Sequence, residues 1–192
     1  MRPPPIPIGH HKGRLVEHEI QRLVQMLSVA ASEITSEYFQ LPIVGADAVY
    51  RERVYCYELY HQLRCLWAAF PFSLGGEVDK AGHPHFQDGP YAQAKPDFLV
   101  HVPGEMQRNL AAVEVKPATA GIDALRKDLQ KLTWFCCHAQ YFRGLLLVYG
   151  EAGEKSKLQE KLRSAADQQV DRAVVMTLYH RNVGQHAETI PW

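Results

Sequence analysis

The chain has no surplus of charge. Lysine plus arginine and aspartate plus glutamate each number 21 in 192 residues, so no global basic field holds a polyanion non-specifically, and any nucleic-acid contact needs a local patch. Long apolar runs are missing too: no stretch reaches the roughly 18 residues of a membrane-spanning helix, and Met1-Arg2-Pro3-Pro4-Pro5 lacks the apolar core of a signal peptide. Cysteine is scarce. Cys136 and Cys137 adjoin, and Cys56 and Cys65 fall on a predicted helix, a layout unlike a disulfide framework or a zinc ribbon. These absences exclude the disulfide-stapled and membrane-spanning classes and predict a cytoplasmic protein with reduced thiols. At this length a single domain with a substantial core is expected.

Residues 1–13 carry four prolines and then Gly9-His10-His11-Lys12-Gly13, which reads as an extended N-terminal arm. Its adjacent histidines lack a fixed third partner for a metal. Residues 14–192 read as one domain. Leu15, Ile20, Leu23, Val24, Leu27, Ala30, Ala31 and Ile34 repeat at helical spacing, predicting an amphipathic helix to about Phe39 that either covers the core or forms a homodimer contact. A second helix is expected from Asp47, as N-cap, to about Trp67. Phe72 to Lys80 reads as a strand with Glu77 and Asp79 on one face, followed by a loop containing His83-Pro84-His85.

The apolar runs Phe98–Val102 and Leu110–Val115 flank Pro103-Gly104 and predict a hairpin. Side chains alternate along a strand, so Glu114 and Lys116 share one face about 7 Å apart, while Ala111, Val113 and Val115 take the other. Pairing Pro103 with Leu110 sets Asp97 opposite Lys116, on the face of Glu114. Two carboxylates converging from neighbouring strands suit a hard cation such as Mg²⁺, which keeps some waters and uses few protein ligands. Lys116 beside them can orient a water or neutralise charge on phosphate, and Lys95 stands where it can contact phosphate. A solvated strand face with an exposed ion pair also accounts for Glu114 and Lys116. Beyond the hairpin, residues 122–139 read as a helix exposing Arg126, Lys127, Gln130 and Lys131. Residues 143–149 form an apolar strand buried on both faces, residues 155–169 a charged helix and residues 173–179 a last strand before a polar tail.

Pro96-Asp97 followed by Glu114-Val115-Lys116 resembles the PD-(D/E)XK nuclease superfamily. The predicted order of helix, three strands, helix and strand over about residues 47–150 is similar to its restriction-endonuclease-like αβββαβ core, a mixed central sheet flanked by helices. Here an extra helix precedes it and an αβ unit follows. The resemblance implies a Mg²⁺-dependent nuclease, with Mn²⁺ able to substitute, that hydrolyses phosphodiester bonds, most readily those of DNA. It implies Asp97, Glu114 and the Val115 carbonyl as metal ligands and Lys116 as the residue that positions and helps deprotonate the attacking water. Lys116 could have its pKa lowered by a crowded cationic site or raised by the carboxylates. The helix before the sheet often adds an acid in this superfamily, and Glu58 is the best match by position. Gln130, with Trp134 four residues on, loosely fits a glutamine and aromatic found on the later helix of some members. Lys95, Lys127, Gln130 and Lys131 are the candidate nucleic-acid contacts.

Two rivals stand beside this reading. One is a protein of the same fold that binds nucleic acid or serves as an interaction module without turnover. The other is a phosphodiesterase built on Glu77, Asp79 and His83 or His85. The alternative for Glu58 is an ordinary surface residue networked with Arg51 or His61.

Overall fold

The protein is described by a computed structural model over residues 10–77, 90–91 and 94–192. The first helix, α1 (His10–Ser32), starts within the arm expected over residues 1–13, so residues 10–13 are helical rather than extended, and residues 1–9 lie outside the described residues. It also ends earlier than periodicity suggests. Ser32 Oγ donates to the Val29 carbonyl at 2.8 Å, a local bond that competes with helix continuation. Thr35 is extended and opens a separate turn, α2 (Ser36–Phe39).

The next segment departs from expectation. Leu41–Ile43 (β1) and Ala46–Val49 (β2) form a small antiparallel hairpin with Leu41 opposite Val49. Gly45, at φ +77°, supplies the left-handed residue of its two-residue turn. Asp47 therefore lies in a strand rather than at an N-cap. The second long helix is α3 (Glu52–Leu66), preceded by Arg51 in extended conformation.

A six-stranded mixed sheet follows, composed of β3 (Ser73–Gly76), β4 (Phe98–His101), β5 (Asn109–Pro117), β6 (Arg143–Tyr149), β7 (Val175–His180) and β8 (Glu188–Thr189), in that spatial order. The β5–β6 and β6–β7 pairs are parallel and the others antiparallel. Helices α4 (Ile122–His138) and α5 (Lys155–Ala165) connect the parallel strands. The order α3, β3, β4, β5, α4, β6 is the helix, three strands, helix and strand read from the sequence, with an αβ unit behind. β3 stops at Gly76 because Glu77 turns to φ 43°, and Asp79, His83 and His85 lie outside the described residues. The C-terminal tail is no loose polar end. It adds β8 to the sheet edge, and Trp192 Nε1 donates to Thr177 Oγ1 at 2.7 Å.

Two apolar layers enclose the sheet. On one face, Ile20, Leu23 and Leu27 of α1 and Leu59 and Leu63 of α3 meet Val100, Val113, Val115, Leu145 and Leu147. α1 thus takes the covering role. On the other, Leu125, Leu129, Leu132 and Phe135 of α4 and Leu158 and Leu162 of α5 meet Leu99, Ala112, Leu146 and Val148. Each fully buried leucine is worth about 1.5–3 kcal/mol of transfer free energy. The four cysteines are free. Among the described residues no helix is long and apolar enough to cross a membrane.

The approach of α4 to β6 is set by Gly144. A Cβ there would lie 2.8 Å from Leu132 Cβ, so any side chain must push the helix outward. Gly144→Ala is expected to lower the unfolding free energy by about 1–3 kcal/mol, the usual cost of overpacking a core. A urea midpoint equal to that of the parent would contradict this.

Candidate functional site

The β4–β5 register differs from the expected one by two residues. Phe98 pairs with Val113 and Leu99 with Ala112, so the strand line carries Asp97 to the position opposite Glu114 rather than Lys116. The short 3₁₀ turn Met106–Arg108 and an irregularity between Val100 and His101 take up the difference. A slip of two preserves side-chain parity, so Asp97 and Glu114 still share a face. That face is the one covered by α4.

The charged side chains of this region form one linked chain. Lys116 Nζ lies 2.8 Å from Glu52 Oε2 and 3.3 Å from Asp128 Oδ2. Lys131 Nζ lies 3.1 Å from Asp128 Oδ1 and 2.7 Å from Glu114 Oε1. Asp97 Oδ2 accepts the Val115 N–H at 2.7 Å. The N–H and C=O of one strand residue point to the same side, so the Val115 carbonyl also faces the β4 side, where Asp97 stands. Asp97, Glu114, Val115 and Lys116 are therefore brought together, at the carboxyl end of β5.

Glu58 is not part of this group. It accepts a 2.6 Å hydrogen bond from Gln62 Nε2. The acid that α3 brings to the site is Glu52, on Lys116. Six residues of helix separate them by about 9 Å along the axis and about 120° around it. Of the candidate nucleic-acid contacts, Lys95 and Lys127 are exposed, whereas Lys131 is inside the charged chain. Gln130 donates to Asp167 Oδ2 at 2.7 Å and accepts from the Tyr91 hydroxyl at 3.2 Å. Trp134 is buried and stacks on His138. Glu77 is ion-paired with Arg53 at 3.2 Å.

Two site residues escaped the sequence reading, Glu52 and Asp128. Asp128 had a visible signal: it falls among Leu125, Leu129 and Leu132 on the inward stripe of α4, where an acid is costly unless paired.

Burial pushes the Asp97 carboxyl up to about 6, helped by the Glu52 charge and opposed by the Val115 N–H bond, Lys116 and Lys131. Burial also raises Glu114 above the ordinary carboxylate range. Lys131 pulls against it, while Asp97 and Asp128 add to the rise. For Lys116, burial acts downward but is outweighed by Asp128, Glu52 and Asp97, and its pKa ends raised. Lys131 is likewise raised, by Glu114 and Asp128 against burial. Without a bound cation, both lysines are thus held as ammonium ions at neutral pH. With every group ionised, four carboxylates (Glu52, Asp97, Glu114, Asp128) face two ammoniums, leaving the cluster two negative charges in excess.

Among the described residues no three His, Cys, Asp or Glu side chains form a ready-made metal cage. The donors present fit a different arrangement: two carboxylates, Asp97 and Glu114, beside a strand carbonyl in a region short of positive charge. Mg²⁺ takes sites of this kind, completing its octahedron with water and substrate oxygens. No protein-family model matches the chain, and no curated protein or solved structure shows significant similarity to it.

The raised Asp97 pKa has a consequence for stability. A carboxyl whose folded pKa is about 6 against about 3.9 unfolded holds its proton longer in the folded state. The contribution of Asp97 to folded stability is therefore greatest below about pH 4 and declines as pH rises to about 6, a loss of about 3 kcal/mol. Asp97→Asn cannot ionise, and its amide oxygen can still accept the Val115 N–H. In chelator, this variant should unfold at higher urea than the parent at pH 7.5, with the difference vanishing near pH 4. Lower stability at pH 7.5 would refute the burial account.

Proposed function

We propose that this chain is a divalent-metal-dependent nuclease of the PD-(D/E)XK type, hydrolysing phosphodiester bonds, DNA being the first substrate to test. The observation that supports it is that Asp97 and Glu114 share one face of the sheet beside the Val115 backbone, with Lys116 held as an ammonium at the edge of the same cluster. The order of elements from α3 to β6 supports the same reading.

Asp97, Glu114 and the Val115 carbonyl would hold Mg²⁺ or Mn²⁺. When bound, the cation supplies Lewis-acid stabilisation of the charge that builds on the phosphate. Lys116 donates to the attacking water and to a phosphate oxygen. Its ammonium is fixed by Glu52 on one side and Asp128 on the other, so the direction of donation is set before substrate arrives. The proton leaving the water goes to solvent or to a substrate oxygen, because Lys116 is already protonated.

One contact favours the alternative, a protein of nuclease fold without turnover. Lys131 Nζ sits on Glu114 and neutralises that carboxylate without any metal.

A cleavage assay titrated with Mg²⁺, Mn²⁺ and Ca²⁺ on linear, circular and single-stranded DNA and on RNA tests the proposal. Mg²⁺ and Mn²⁺ should support cleavage, Ca²⁺ should bind without much turnover, and excess chelator should abolish activity. Lys116→Ala should keep metal binding and cut turnover by about two orders of magnitude or more, the scale of a lost charge-stabilising donor. Parental turnover in that variant would eliminate the assigned mechanism.

Lys131 and a metal compete for Glu114, and their charges repel at short range. Lys131→Met is therefore expected to bind Mn²⁺ at least about tenfold more tightly by calorimetry. Weaker binding would mean that Lys131 orients Glu114 rather than competing for it.

A further inference from the structure

The helix that brings Glu52 to the site also carries an outward stripe whose one ion pair among the described residues is Arg53 with Glu77. Arg53, Tyr57, His61 and Arg64 are exposed, and at 3.6 residues per turn they fall within an arc of roughly 80° over about 17 Å. Tyr57 is 64% exposed. Among the described residues, the side chains of Tyr57, His61 and Arg64 make no hydrogen bond, ion pair or ring contact. No acid lies on the arc. The acids of α3 are Glu52, turned to Lys116, and Glu58, tied to Gln62 about 100° round.

Helix chemistry does not account for these cations. A positive charge near a helix C-terminus complements the macrodipole, which suits Arg64, but Arg53 stands in the first turn, where the dipole disfavours it. Arg51 occupies the N-cap, a position that favours Ser, Thr, Asp or Asn. Arg53 has an internal partner, Glu77 at 3.2 Å, with both side chains more than half exposed. Such a pair is weak and open to exchange. In a chain of zero net charge, a face of cations around a bare aromatic ring is a local departure that calls for an anionic, ring-bearing partner.

The geometry points to α3 as the track for a single strand of nucleic acid leading into the site, with an unpaired base stacked on Tyr57 and backbone phosphates against Arg53, His61 and Arg64. The assignment rests on the phosphodiester reading of the neighbouring cluster. It moves the contact away from Lys131 and Gln130 of α4, which are engaged within the protein, while Lys127 stays exposed. A single strand is specified because duplex bases are stacked on one another and offer no free face to Tyr57, whereas a cationic groove with an exposed aromatic suits unpaired bases.

The test measures binding apart from chemistry. Fluorescence anisotropy of labelled oligothymidylate, oligouridylate and a duplex of equal length is recorded in chelator, so that no cleavage occurs. The parent should bind both single strands, with the DNA and RNA arms deciding the sugar preference. Tyr57→Ala should weaken single-strand binding about tenfold and leave duplex binding unaltered, while Tyr57→Phe restores it. Arg64→Ala should lower the slope of log affinity against log salt by about 0.7. These residues are exposed, so the variants should share the parental unfolding midpoint. Parental affinity and salt slope in Tyr57→Ala and Arg64→Ala, or no binding of any single strand by the parent, would overturn the assignment. Cleavage by the parent together with unaffected stripe variants would refute the track and leave the nuclease reading intact. Stripe-dependent binding without cleavage in any metal would do the reverse.

Discussion

Asp128 is the contact on which the charged end of the sheet depends. Its carboxylate is buried under α4, with one oxygen toward Lys116 and the other toward Lys131. Removing a carboxylate from water costs several kcal/mol, and only close pairing offsets it. Here both lysines gain direction from the same acid. Lys116 is thereby held between α4 and α3, and Lys131 between α4 and β5. Three elements distant in sequence are tied by ionic contacts at the point where the apolar layers end. The glycine at 144 matters to this arrangement because it lets Leu132, the neighbour of Lys131, come down onto β6.

What the sequence disclosed follows from which patterns are local. β5 and β6 were legible because continuous apolar runs leave few alternatives, and α4 because Leu125, Leu129, Leu132 and Phe135 keep helical phase over about three turns. The shared face of Asp97 and Glu114 survived an error in register because strand parity repeats every two residues. Glu58 failed for the opposite reason. The α3 pattern was visible, but its start was displaced by the unexpected β1–β2 hairpin, and a helix places an acid by both phase and height. With the helix beginning at Glu52, the first-turn acid reaches Lys116, and Glu58 points to another flank. β8 could not be read at all. Two residues paired to Leu178 and Tyr179 owe their conformation to the sheet edge and not to any propensity of their own.

Zero net charge conceals a separation. Acids outnumber bases at the carboxyl end of β5, while along the outer face of α3 the bases outnumber the acids, Arg53 alone pairing with one, Glu77. A neutral chain can therefore hold an acid-rich cluster and a base-rich helix face within one element of each other. Lys131 of α4, which looks like a surface charge on a helical wheel, serves the interior, whereas Lys127 stays exposed. Counting charges by helix thus misassigns Lys131, since a lysine stem can reach inward as well as outward.

The hydrogen bond from the Val115 amide to Asp97 divides the labour of that carboxylate. One oxygen takes the place of a missing strand partner at the point where β4 has ended and β5 continues, and the other is left for a second task. The side chain is thereby locked before any cation or substrate arrives, and the entropy of ordering it belongs to folding. At this end of the sheet the carboxylate therefore keeps its orientation without any bound ligand.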